Sequence, residues 1–125
     1  MADATTTIDE TIKNRNESFA EYLFALIDVK NLTDPEVYKA ANVGRKTFSD
    51  IRHGKIPAKK TIIKIIFALE VSLNESCILL ERAGYALSTS LDADLIVKHF
   101  IEQKNFDKFA LDEALAAKNL PKIFS

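Results

Sequence analysis

Apolar side chains recur along this chain at the spacing of helices, and nowhere as the convincing period-two alternation of a strand. Phe19, Leu23, Leu26 and Ile27 fall at i, i+4, i+7 and i+8, one stripe of a helix predicted from Ser18 to about Lys30. Residues 1–16 before it are polar apart from Ile8 and Ile12 and read as a flexible N-terminal arm. Thr33 and Glu36 have the spacing of a capping box and Pro35 suits a first helical turn, so a helix is expected over 34–41 with Val37, Tyr38 and Ala41 inward. Asn42 tolerates a left-handed backbone and Val43 can anchor a turn. Residues 44–55 then read as a short helix, polar except for inward Phe48 and Ile51, and stopped by Gly54.

Pro57 restarts the chain, and Ile62, Ile63, Ile65, Ile66, Phe67 and Leu69 are apolar on nearly every side, which demands a central helix. Ser72 and Glu75 repeat the capping-box spacing, Ile78, Leu79 and Ala83 follow, and Gly84 closes that helix. After a Ser/Thr-rich turn, Leu91, Leu95, Ile96, His99 and Phe100 form one stripe, and Phe106, Phe109, Leu111, Ala114 and Leu115 another before Pro121. The predicted class is all-α. Because five helices already close a core, Leu91, Leu95, Phe100, Phe106, Phe109 and Leu115 are expected to meet a second copy and make a homodimer; the rival is that they fold back on the first and fifth helices. In the dimer case a chain ending at Tyr85 stays helical and monomeric.

With 125 residues there is material for one domain, divided as arm 1–16, helical unit 17–84 and extension 85–125. Cys77 is the only cysteine, which rules out an internal disulfide, and its apolar neighbours make it a buried structural thiol. With only His53 and His99 beside it, neither a metal nor a cofactor is expected. No apolar run approaches a bilayer span and the start lacks a basic flank and apolar segment, so the expected setting is cytoplasmic, without membrane contact. Ser49, Asp50 and His53 share one short helix where no enclosed pocket is implied, which argues against a catalytic triad and an enzyme. Asp92, Asp94, Asp112 and Glu113 fall at starts and outer faces of the last two helices, where carboxylates suit the helix dipole. His99 reads as a core or interface histidine, and Phe100, Phe106, Phe109 and Phe124 as packing residues.

Charge is distributed unevenly. Residues 39–64 carry eight basic groups and one acid, a net +7, whereas 1–38 stand at −5 and 65–125 at −3. A basic block within an acidic chain is either a solvated face or the footprint of a surface that meets polyphosphate. Two short helices around a tight turn, the second with Arg45, Lys46, Ser49, Asp50 and Arg52 outward, are a helix-turn-helix in the physical sense, and the basic block covers it.

Residues 18–84 resemble the lambda-repressor/Cro-type (XRE family) helix-turn-helix domain. The resemblance is carried by Thr33 before the second helix, Ala41-Asn42-Val43 at the turn, Arg45-Lys46-Thr47-Phe48-Ser49 opening the recognition helix, Ile51, and Gly54 after it. Pro57, Thr61, the 62–69 run and Val71-Ser72-Leu73 continue it. The chain departs from the family pattern at Asp34, where a phosphate-binding Gln is common, at Tyr38, where a small residue is usual, and at Asn42, in place of the turn Gly. The resemblance implies a sequence-specific regulator of transcription, a repressor, that reads double-stranded DNA as a homodimer. It implies base contacts from Arg45, Lys46, Ser49 and Asp50, and phosphate contacts from Thr33, Thr47, Arg52, His53, Lys55, Lys59 and Lys60. The alternative is an antitoxin-like or adaptor module that uses the same surface to bind protein or RNA.

Overall fold

The structure, a computed structural model, describes residues 19–125, so the arm at 1–16 lies outside the described residues. Among the described residues there are seven helices and no strand: α1 over 19–29, α2 Asp34–Ala40, α3 Arg45–Arg52, α4 Lys59–Leu69, α5 Leu73–Arg82, α6 Asp92–Glu102 and α7 Lys108–Ala117. The chain is all-α, as the periodicity predicts. Both capping boxes form: the Thr33 hydroxyl accepts from the Glu36 amide and the Ser72 hydroxyl from the Glu75 amide, with each Glu reaching back to the cap backbone. Every helix is then stopped within two residues by a left-handed position, namely Asn31, Asn42, Gly54, Glu70, Gly84, Lys104 and Asn119. At Asn42 the next amide, Val43, donates back to the Tyr38 carbonyl at 2.9 Å, the closure that ends α2 and turns the chain into α3.

The core is built around α4. Ile62, Ile63, Ile65, Ile66, Phe67 and Leu69 are all buried, with α2 and α5 packed against the helix. Contrary to expectation, five helices do not close this core. Val97 and Ile101 of α6, Leu111 and Leu115 of α7, and Ile123 are buried in the same cluster. The Phe67 ring meets Phe106 edge-on at 5.5 Å and Phe124 at 5.9 Å. The extension therefore folds back within the chain, with α6 against α5 and the segment after α7 against α4. A chain ending at Tyr85 would leave Phe67 without two of its aromatic neighbours.

Several side chains fall differently from the sequence reading. On α6 the buried positions are Asp94, Val97 and Ile101, an i, i+3, i+7 stripe that competes with the expected one, while Leu91, Leu95 and His99 are exposed. Asp94 tips that choice, since turning it inward gives its carboxylate the Lys59 ammonium at 2.6 Å and the Ser88 amide at 2.8 Å. Of the expected dimer positions, Leu115 is fully buried, Phe106 is held by Phe67, and Phe100 is half-buried against the core; Leu91, Leu95 and Phe109 stay exposed, Phe109 at 82%. Cys77 is exposed rather than buried, because Leu79, Leu80 and Ser76 form the inner face of α5.

Asp112 is buried too, not on an outer face. Its carboxylate accepts from the amides of Ile123 (2.8 Å), Phe124 (3.2 Å) and Ser125 (3.0 Å), and from the Ser125 hydroxyl at 3.1 Å. The strap so pinned is tied to the turn before α3, where Asn42 Nδ2 donates to the Phe124 carbonyl at 3.2 Å. Lys108 Nζ donates to the Ala40 carbonyl at 2.8 Å. Burial alone would raise the Asp112 pKa, but these hydrogen bonds to the charged form outweigh it and leave the carboxyl below its ordinary value. A carboxyl whose pKa is depressed by folding contributes stability above its unfolded value, about 3.9, and loses it as pH falls through the folded value. Asp112→Ala should therefore cost about 2–4 kcal/mol at neutral pH and leave acid unfolding less steep below about pH 4, as followed by helical circular dichroism.

Candidate nucleic-acid interface

Helix α3 buries two side chains against the body. Phe48 is buried between the rings of Phe24 of α1 (5.5 Å, edge-on) and Tyr38 of α2 (5.7 Å), and Ile51 is buried one turn later. The bulky Tyr38 thus serves as a wall for Phe48. Everything else on this eight-residue helix is left toward solvent or half-covered: Arg45, Lys46, Thr47 and Ser49 are exposed, and Asp50 is half-buried. Lys46 and Asp50 stand 3.7 Å apart, with the lysine side chain 91% exposed, a contact of little strength in water.

The starts of α2, α3 and α4 are of two kinds. At α2, Thr33 caps the end and the first turn holds Asp34 and Glu36; the Glu36 carboxyl is lowered chiefly by the Thr33 amide and then by its hydroxyl. At α3 and α4 the cap residues are Gly44 and Ala58, no side chain caps either end, and the first turns hold Arg45 and Lys46, and Lys59 and Lys60, without an acid. Unengaged amides at a helix start carry partial positive charge, and adding cations there is unfavourable by some tenths of a kcal/mol each unless an anion arrives. Thr47 and Asp50 of α3, the cap residue Ala58 and Thr61 of α4 line a common groove of about 160 Å³ with Lys55. The two basic helix starts therefore adjoin.

Four of the expected phosphate contacts need correction. Lys59 is only 27% exposed and is bound to buried Asp94, so it braces α4 to α6. Arg52 Nη2 donates to Asp34 Oδ2 at 2.6 Å and its guanidinium lies 3.9 Å from the Phe24 ring centre. Thr33 donates its hydroxyl hydrogen to Glu36 Oε1 at 2.9 Å, which leaves it no donor for a phosphate. His53 Nδ1 lies 2.7 Å from the Ser49 carbonyl, so the single N–H of neutral imidazole is engaged, and only the imidazolium has a second to offer. Thr47, Lys55 and Lys60 remain on the surface, and of these Lys55 and Lys60 make no ion pair among the described residues.

The pairs Lys59–Asp94 and Arg52–Asp34 join residues 35 and 18 positions apart, and no local spacing announces them. Among the described residues there is no cluster of three His, Cys, Asp or Glu side chains suited to a metal, and no helix long and apolar enough to cross a membrane. Compared with models of known families, curated proteins and solved structures, the chain finds no match.

Lys59→Ala should lower stability by about 2–4 kcal/mol, because it strands the buried Asp94 carboxylate. Lys60→Ala should leave the melting transition within about 0.5 kcal/mol of the parent. Thermal melting of both variants checks the separation of structural from surface lysines.

Proposed function

We propose that this protein is a sequence-specific DNA-binding repressor of transcription, built on the lambda-repressor/Cro-type helix-turn-helix, that works in the cytoplasm as a homodimer. The observation that carries this reading is α3 itself: an amphipathic helix whose buried anchors are Phe48 and Ile51, with Arg45, Lys46 and Ser49 exposed beside an uncapped start. Such a helix fits a major groove, where Arg45 and Lys46 donate to guanine O6 and N7, Ser49 gives or accepts a bond, and Asp50 accepts from cytosine N4. Thr47, Lys55 and Lys60 take the phosphates on either side, with the amides at the starts of α3 and α4 adding their partial charge. A single module covers little DNA, and a two-fold dimer linked through exposed Leu91, Leu95 or Phe109 doubles the contact. The same exposed side chains favour the second reading, an adaptor or antitoxin-like module whose partner is a protein.

Selection of bound sequences from random duplex DNA by the purified chain supplies a preferred site. Arg45→Ala or Lys46→Ala should then cost about 1–3 kcal/mol on that site and much less on unrelated duplex, as measured by fluorescence anisotropy. Lys55→Ala or Lys60→Ala should weaken binding to all sequences alike and reduce the salt slope by about one. Equal losses on both duplexes for Arg45→Ala and Lys46→Ala would refute base reading by α3, and a chain that selects no sequence leaves the protein-binding module as the better reading.

A further inference from the structure

Asp34 stands in the first turn of α2 and Arg52 in the last turn of α3, yet their side chains meet at 2.6 Å across the opening between the two helices. The guanidinium is also stacked on Phe24, and Asp34 and Arg52 line one groove of about 480 Å³ together with Arg45 and Ser49. The pair thus sits on the very face that α3 presents outward. We propose that Asp34 is a specificity-determining residue: it holds Arg52 on the protein's own surface and sets a fixed negative charge beside α3, so that attraction to phosphate is restrained and base contacts decide where the protein stays. This rests on the DNA-binding reading given above.

Three physical points support the assignment. Arginine is the side chain best shaped to grip a phosphate, and an exposed one at the end of a surface helix adds affinity for any sequence. Here one of its N–H donors is held by Asp34 and one face of its guanidinium plane lies on Phe24. The pair remains half open to water, with side chains 50% and 35% exposed, and exposed ion pairs contribute little to folding, so stability is a weak reason for it. Asp34 also stands out by position, since the stretch from 39 to 64 carries +7 and this carboxylate is set against that stretch by the fold rather than within it by sequence. A regulator must find one site among a vast excess of others, so lowering sequence-independent affinity raises the ratio that matters.

The test compares the full chain with Asp34→Asn, Arg52→Ala and the double variant on an unselected mixed-sequence duplex of about 30 base pairs, between about 50 and 200 mM salt. Thermal melting confirms that each variant is folded, and asparagine keeps the size of Asp34 while removing the charge that holds Arg52. Asp34→Asn should tighten binding about tenfold and steepen the salt slope by about one, while Arg52→Ala stays within about twofold of the parent. The double variant should lose most of the gain, falling to within about threefold of the parent, because the gain comes through the released guanidinium. The assignment is overturned if Asp34→Asn binds like the parent, if the double variant keeps the full gain, or if Arg52→Ala weakens binding as Lys55→Ala does. A parent chain that binds neither this duplex nor any selected site sinks the DNA-binding reading as a whole, whereas a parent that binds with Asp34→Asn unchanged removes only the role of Asp34.

Discussion

An eleven-residue helix with six buried apolar side chains needs cover on nearly every side, and the arrangement of this protein follows from covering α4. Each of those side chains is worth about 1.5–3 kcal/mol when removed from water, so the helix acts as the organiser of everything packed on it. Helices α2 and α5 cover two sides, and Phe106 and Phe124 reach Phe67 from the extension. The last forty residues are therefore part of the structure that holds α4. That leaves only a few of their apolar side chains, Leu91, Leu95 and Phe109, available to another chain.

The same packing determines how α3 is presented. Helix α2 is fixed by α4, and α3 hangs from α2 and α1 through Phe48. The turn between α2 and α3 is braced from the other side by the strap that Asp112 secures, through Asn42 and Lys108. Asn42 accepts the left-handed backbone, as the family's usual glycine would, and adds what glycine lacks, a carboxamide that reaches the Phe124 carbonyl. A short surface helix with two anchors can keep its orientation only if the chain leading into it is held, and these contacts hold it.

Folding also sorts the basic block by role. Lys59 is drawn inward by Asp94 and Arg52 sideways by Asp34, while Arg45, Lys46, Lys55 and Lys60 stay outward. A count of charges along the chain treats all of them alike. The difference arises from carboxylates supplied by other helices, and the electrostatic surface near α3 is correspondingly more selective than a net charge of +7 suggests.

Local physics decided much of this protein from its sequence alone. The positions of the helices, the capping boxes at Thr33 and Ser72, the left-handed stop at Asn42 and the central place of α4 all depend on residues within a few positions of one another, so spacing is sufficient to read them. The two inward residues of α3 were legible for the same reason. What spacing could not decide is which of two helical stripes on α6 turns inward, whether Asp94 and Asp112 face water, and which cations find carboxylates. Those outcomes depend on partners 11 to 35 residues away, Lys59 for Asp94, residues 123–125 for Asp112 and Asp34 for Arg52, and only tertiary packing brings them within hydrogen-bonding distance.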